Sequence, residues 1–271
     1  MKFNYRFKRP ATKNKNFIEN FFIKKGLKSL VDLSKKNKRQ VNQMISNVPY
    51  KPELNDLYNL YQYVVMNKRT TILEFGSGWS TLIFSLALKE IRDKFFKKAK
   101  SLRRNNLFEL IVVENEKKYL NLTKQKIHKF NKYLNIKDPI KIVYNFSNVE
   151  MTTYYNRICT QYKKLPLCNP DFIYLDGPDQ FHVKKDINGI STRHKDMMPM
   201  ACDILKFEYF YTPGTMIVCD GRASNAKFLR DHFKRKWQYS FDKKNDQHIF
   251  LLSDPVLGKY NKSQIEFYNQ K

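Results

Sequence analysis

Five short, nearly continuous apolar runs, at residues 71–75, 108–114, 140–145, 171–176 and 215–220, constrain this chain more than any other feature. Runs of that length and character suit strands covered on both faces. Helical patterns lie between them, near residues 80–100, 116–134, 196–210 and 224–235. Regular alternation of strand and helix argues for parallel pairing through right-handed crossovers. The segments Trp237–Asp242 and His248–Ser253, joined by a turn at Lys243–Asp246, read as a terminal hairpin that adds an antiparallel last strand.

Upstream, residues 17–45 alternate apolar pairs with lysines at helical spacing, and residues 53–66 place Leu54, Leu57, Leu60, Tyr61, Val64 and Val65 on one helical face. The expected organisation is a basic helical N-terminal extension at 1–50, one α/β domain at 51–257 and a C-terminal tail at 258–271. A composition of 42% hydrophobic residues in 271 supports a sizeable core and argues against disorder. The four cysteines form no C-x-x-C pair, which disfavours a disulfide scaffold or structural zinc. The N-terminus has no apolar run long enough for a signal peptide, and Glu74 and polar interruptions break the stretch Thr71–Leu88, so no transmembrane helix is expected. The expected compartment is the cytoplasm.

The net charge is +26, and residues 1–50 hold thirteen Lys/Arg against only Glu19 and Asp32. Such a field attracts polyanions, so the basic N-terminal region is a candidate for RNA or another polyanion. Lysine outnumbers arginine and Asn, Ile, Phe and Tyr are plentiful, a set that AT-rich codon usage also produces.

The sharpest motif is Glu74-Phe-Gly76-Ser77-Gly78-Trp79-Ser80-Thr81, which ends a strand and opens a helix. Gly76 can take positive φ, Gly78 admits a ligand close to the backbone, and the helix N-terminus favours an anion. A dinucleotide fingerprint wants a third glycine where this chain has Thr81. Glu114, ending the next strand before Asn115, can accept both hydroxyls of a ribose.

These residues resemble the class I S-adenosylmethionine (SAM) dependent methyltransferases, over residues 53–255. The resemblance implies a Rossmann-like methyltransferase fold of the α/β class, with a mostly parallel seven-stranded sheet, an antiparallel last strand and helices on both faces. It also implies SAM as cofactor, with Glu74, Gly76, Ser77, Gly78, Trp79 and Ser80 as the first binding motif and Glu114 with Asn115 at the ribose. Asn145 and Ser147 fall where the family usually holds the adenine.

Asp176 and Asp220 end neighbouring strands and should face the crevice at their carboxyl ends. They are similar to the metal-binding acids of catechol-type O-methyltransferases, but Gly221 stands where a further ligand is usual, so a divalent metal on Asp176 and Asp220 is not the favoured expectation. Asp176 or His182 is the candidate general base, imidazole being suited by a pKa of about 6.5. Asp220 is grouped with them as catalytic, and Arg222 and Lys184 are candidates for holding an anionic acceptor. The segment Asp176-Gly-Pro-Asp179 stands where base N-methylating relatives carry Asn-Pro-Pro-Tyr. The expected function is therefore O-methylation of a small, glycan-like or anionic acceptor. The alternatives are an RNA methyltransferase using the basic N-terminal region and a non-catalytic Rossmann-like binding protein.

Overall fold

A computed structural model describes residues 2–36, 51–194 and 196–270. In chain order the strands are β1 (Thr71–Phe75), β2 (Glu109–Glu114), β3 (Lys141–Phe146), β4 (Val149–Tyr154), β5 (Arg157–Tyr162), β6 (Phe172–Leu175), β7 (Val183–Lys184), β8 (Met216–Asp220), β9 (Trp237–Asp242) and β10 (Gln247–Leu252). The helices are α1 (Lys15–Lys24), α2 (Lys28–Ser34), α3 (Leu54–Met66), α4 (Trp79–Ala99), α5 (Lys117–Tyr133), α6 (Asp203–Lys206), α7 (Ala223–His232) and α8 (Gly258–Asn269).

Seven strands form one sheet in the order β3-β2-β1-β6-β8-β10-β9. Pairing is parallel from β3 to β8, and β10 runs antiparallel to both β8 and β9. The architecture is thus the expected α/β one, mostly parallel with an antiparallel last strand. Side chains alternate between two apolar layers, as the period of two in a strand requires. Ile72, Leu110, Val112, Phe172 and Val218 join the layer beneath α1 to α5 and α8. Leu73, Ile111, Val113, Ile173 and Ile217 join the other, beneath α6, α7 and a second sheet of order β5-β4-β7.

The structure differs from the sequence reading in four places. The β4–β5 hairpin stands where no strands were expected. Residues 196–210 were read as one helix, but only α6 and a 3-10 turn at Glu208–Phe210 are helical. Pro199 interrupts that stretch, and Met200 to Cys202 run along β5 instead. Thr160 N donates to the Met200 carbonyl at 3.0 Å, Cys202 N donates to the Thr160 carbonyl at 3.0 Å, and Asn225 Oδ1 accepts from Ala201 N at 3.0 Å. The N-terminal segment is not set apart from the domain: Tyr5, Ile18, Phe22, Leu30 and Val31 are buried in the same layer as β1. The part of that predicted helical segment at 37–50 lies outside the described residues. The expected tail at 258–271 carries α8, whose Ile265, Phe267 and Tyr268 are buried there too. Among the described residues no helix is long and apolar enough to cross a membrane.

At the edge of the sheet opposite the strand carboxyl ends, Asp171 precedes β6. Its fully buried carboxylate accepts from the Thr70 and Thr71 amides at 3.0 and 2.9 Å, from Thr70 Oγ1 at 2.8 Å and from the Tyr268 hydroxyl at 2.9 Å. Arg69, also fully buried, lies with its guanidinium over the Tyr268 ring at 4.2 Å and donates to the Gly214 carbonyl and the Tyr5 hydroxyl, each at 2.7 Å. One acid and one guanidinium thereby tie the N-terminal arm, β1, β6 and α8 together.

Replacing Asp171 by Ala leaves two backbone amides and the hydroxyls of Thr70 and Tyr268 without their acceptor, and the buried Arg104 guanidinium, 4.0 Å away, without its counter-charge. The expected loss is about 3–5 kcal/mol in urea unfolding. Tyr268→Phe removes one neutral donor and is expected to cost about 1 kcal/mol. Equal effects for both variants would show that the carboxylate is not the centre of this network.

Candidate active site

The carboxyl ends of β1, β2, β6 and β8 open on a cleft of about 800 Å³. Ligands of open α/β sheets lie in this position. The turn after β1 forms its floor. Gly76 sits at φ +100°, and a Cβ there would meet the Gly177 amide nitrogen at 3.2 Å, so the turns after β1 and β6 pack backbone to backbone. Gly177 is more confined still, with its own Cβ position 2.6 Å from the Gly76 nitrogen. At Gly78 the opposite holds: the backbone is extended and nothing lies within 4 Å of where a Cβ would be. The Gly78 amide donates to Thr81 Oγ1 at 3.1 Å, which fixes the entry to α4.

Glu74 lies beneath this floor rather than on the cleft wall. It is fully buried and accepts from Ser80 Oγ at 2.5 Å. Burial is the main cause that raises its pKa to about 8, with Asp176 and Glu114 adding to the rise against the Ser80 and Thr81 hydrogen bonds. Glu74 therefore positions the turn instead of touching a ligand. Gly76, Ser77, Gly78, Trp79 and Ser80 do line the cleft.

Glu114 lines it from the end of β2. Its Oε2 accepts from Ser77 Oγ at 2.8 Å, and its Oε1 from the Asn115 and Glu116 amides at 2.8 and 2.9 Å. A carboxylate offers about four acceptor positions, so one remains for a ligand hydroxyl. Burial raises Glu114 to about 7 despite those hydrogen bonds. Asn115 turns away from the cleft: its Oδ1 accepts from the Asp179 amide at 2.8 Å and its Nδ2 donates to the Asp179 carbonyl at 3.0 Å. It holds the loop after β6 in place.

Two predicted residues lie off the cleft wall on the β3 side. Asn145 Nδ2 reaches the Lys164 carbonyl at 3.3 Å, and the Ser147 hydroxyl accepts from the Lys164 amide at 2.9 Å. One face of α5 takes that wall instead, through Tyr119, Leu122, Thr123 and Lys126. Their spacing of three and four residues was visible in the sequence as a helical face, but nothing marked it as facing a ligand. Lys126 Nζ lies 3.8 Å from the Trp79 ring centroid, and burial lowers its pKa to about 8.

Asp176, Asp220 and Arg222 all reach the cleft. The Arg222 Nη2 donates to the carbonyls of Asp176 and Pro178 at 2.6 and 3.0 Å, and Nε lies 4.0 Å from Asp176 Oδ1. Its Nε and Nη1 are buried with no hydrogen-bond partner among the described residues. The Asp176 side chain keeps 54% of its surface open to the cleft, yet it is surrounded by enough protein to raise its pKa to about 7, desolvation leading, Arg222 opposing and Asp220 and Glu114 adding. Water still reaches this carboxylate in the open cleft, so the rise is fullest once a ligand displaces that water. Asp220 Oδ2 accepts from the Tyr174 hydroxyl at 2.6 Å, and burial raises its pKa.

His182 and Lys184 are placed elsewhere. His182 Nδ1 is 2.5 Å from Asp179 Oδ2 and Nε2 is 2.9 Å from Glu116 Oε2, so both ring nitrogens are engaged at the rim. Lys184 lies in β7, exposed and off the cleft wall. Among the described residues no three His, Cys, Asp or Glu side chains are grouped to hold a metal ion. Asp220 already accepts from Tyr174 and Asp176 lies 4.0 Å from the positive Arg222 guanidinium, and two carboxylates so placed do not fit a divalent cation site.

In structure the chain is similar to the O-methyltransferase from Bacillus cereus in complex with SAH, at 12% identity over 88% of this chain and 97% of that one, with a TM-score of 0.41. It is similar to the SAH-bound methyltransferase of Podospora anserina, at 14% identity over 91% and 100% of the two chains, TM-score 0.44. A SAM-bound O-methyltransferase from Streptomyces achromogenes involved in tomaymycin synthesis matches at 10% identity over 90% and 92%, TM-score 0.36. No family model and no curated relative matches the sequence.

The buried acids make stability depend on pH in a definite direction. Glu74 and Asp56, raised to about 8, and Glu114 and Asp203, raised to about 7, keep protons that the unfolded chain loses near pH 4. Their stabilising contribution is complete below that value and is lost as pH climbs through 7 to 8. Lys68 and Lys126, lowered to about 8, act the other way, so stability recovers between pH 8 and the ordinary lysine range. Thermal melts should thus show the lowest Tm near pH 8. Asp56→Asn should raise Tm there by ~2–4 °C for each kcal/mol regained. A Tm that stays flat from pH 5 to 8 would mean that these carboxylates ionise as they do in water.

Proposed function

We propose that the chain is a SAM-dependent methyltransferase that transfers the methyl group to a hydroxyl of a small acceptor carrying an anionic group. The observation that carries this reading is the pairing of an open Gly78 with the Ser77–Glu114 contact at one end of the cleft. The cleft volume of about 800 Å³ has room for a nucleoside and a small acceptor together. The similar O-methyltransferases bound to SAH or SAM agree with it.

Bound SAM supplies an activated methyl group on a sulfonium, so the protein's task is alignment, exclusion of water and removal of one proton. Ser77 and Glu114 are suited to the ribose hydroxyls, and Gly78 leaves space for the donor to approach the main chain. Trp79, Tyr119 and Thr123 offer the wall for the adenine, in place of Asn145 and Ser147. Asp176 is the general base in this reading: it faces the cleft from a strand end, and a pKa of about 7 balances basicity against ionisation near neutral pH. His182, held between Glu116 and Asp179, serves to shape the rim. Arg222 offers its unpartnered N–H groups to the acceptor's acidic group. The RNA alternative is disfavoured by the cleft itself, whose lining carries seven carboxylates and four basic side chains.

Calorimetric titration with S-adenosylhomocysteine tests the donor site, with NAD+ as control. Micromolar binding of the first and none of the second is expected. Gly78→Val should fold normally, since its side chain enters open space, and lose binding by more than about tenfold, and Glu114→Ala should lose a similar amount. Asp176→Asn should keep S-adenosylhomocysteine affinity and lower turnover of labelled SAM by ~10²–10⁴-fold. A folded protein that ignores S-adenosylhomocysteine removes the reading.

A further inference from the structure

The cleft has a second end, built from different elements. Past Asp220 it is closed by the start of α3, residues Glu53–Asp56, and by the β9–β10 turn, residues Lys244–Asp246. Asn55 Nδ2 donates to Asn245 Oδ1, and the Gly221 amide donates to the Asp246 carbonyl at 3.0 Å, so these pieces form one wall. Four carboxylates line that end, Glu53, Asp56, Asp220 and Asp246, together with Lys51 and Lys244. The chain as a whole has 51 Lys+Arg against 25 Asp+Glu, yet the cleft lining reverses that ratio. Asp56 and Asp220 are partly buried, and crowding of like charge at such positions is destabilising unless a cation offsets it. Asp56 registers the crowding, with burial, then Asp220 and Glu53, raising it to about 8.

A second observation comes from Arg222, between this acidic end and Asp176. Its side chain is nine-tenths buried, at 10% exposure, and its Nε and Nη1 lack hydrogen-bond partners among the described residues. A buried guanidinium on a cleft wall, two of whose nitrogens make no hydrogen bond and whose acid neighbour Asp176 stays 4.0 Å away, calls for a planar acid. The two features sit side by side, so they ask for opposite charges on one ligand.

We infer that the acceptor is a small zwitterion, whose ammonium group sits among Glu53, Asp56, Asp220 and Asp246 and whose carboxylate or phosphate takes the free N–H groups of Arg222. This rests on the methyltransferase reading and sharpens its acceptor from anionic to zwitterionic. The donor end, at Gly78 and Glu114, is served by separate residues, so the acids around Asp56 belong to the acceptor.

The test uses the full chain saturated with S-adenosylhomocysteine and titrates matched probes. Tyrosine carries both charges, tyramine only the ammonium, and 3-(4-hydroxyphenyl)propionate only the carboxylate; phosphoethanolamine and ethyl phosphate form the phosphate pair. In at least one of the two series the zwitterion should bind about tenfold or more tightly than its anion-only partner. The series that responds distinguishes carboxylate from phosphate. Asp56→Asn and Asp246→Asn should each shrink that advantage while leaving S-adenosylhomocysteine affinity unchanged. Equal or tighter binding of the anion-only probes, or no binding of either zwitterion at millimolar concentration, overturns the inference and leaves the donor site standing. Failure of S-adenosylhomocysteine itself to bind overturns both.

Discussion

The Asp171 carboxylate is the contact on which the rest of the molecule depends. β1 and β6 are neighbouring parallel strands, and their carboxyl ends carry the glycine turn and Asp176. Asp171 locks their opposite ends by taking both amides that precede and begin β1. A parallel pair has no hairpin to set its register, so a charged anchor at one end fixes where the other end falls. The close approach of Gly76 to Gly177 tolerates no slip, because a displacement of one residue would bring a Cβ against backbone. The anchor also recruits elements far away in the chain: Tyr268 of α8 donates to it directly, and Arg69 joins Tyr5 and Tyr268 around it.

The site is expensive in stability, and the cost has a recognisable form. Glu114 and Asp220 are withdrawn from water at the strand ends, and each is supported by a hydroxyl, from Ser77 and Tyr174 respectively. A hydroxyl donor steadies a carboxylate without cancelling its charge, so the acid stays available to a ligand. A lysine or arginine in the same place would have stabilised the empty cleft more and left less to offer. Where a guanidinium is present, at Arg222, two of its nitrogens lack hydrogen-bond partners among the described residues. Residues so arranged are prepared for a ligand at the expense of the unliganded fold.

The sequence made the sheet legible because β1, β2, β6, β8 and β10 are buried on both faces and so read as nearly unbroken apolar runs. The hairpin β4–β5 escaped because Thr152, Thr153 and Gln161 interrupt its apolar pattern and its outer side faces solvent. The false helix at 196–210 had suitable residue types, but Pro199 and the pairing of Ala201 with Thr160 impose an extended path. Within the site, residues that end strands were found and residues on helix faces were missed. Strand ends are marked by an acid or glycine directly after an apolar run, whereas Tyr119, Thr123 and Lys126 differ in no local way from solvent-facing positions of any helix. The acid cluster was invisible for another reason: Asp56, Asp220 and Asp246 are far apart in sequence, and only the fold brings them to one wall.

That separation explains why the total charge misleads about the ligand. A net charge of +26 suggests a protein made for anions. Exposed charges act over about 8 Å at physiological ionic strength, so lysines spread along the outer faces of α1, α4 and α5 add little to the potential inside a cleft. What a ligand meets there is set by the few groups on the wall, where low dielectric strengthens each of them. Outer lysines and inner carboxylates therefore act at different stages. The first govern which molecules gather at the surface, and the second govern which of them stay.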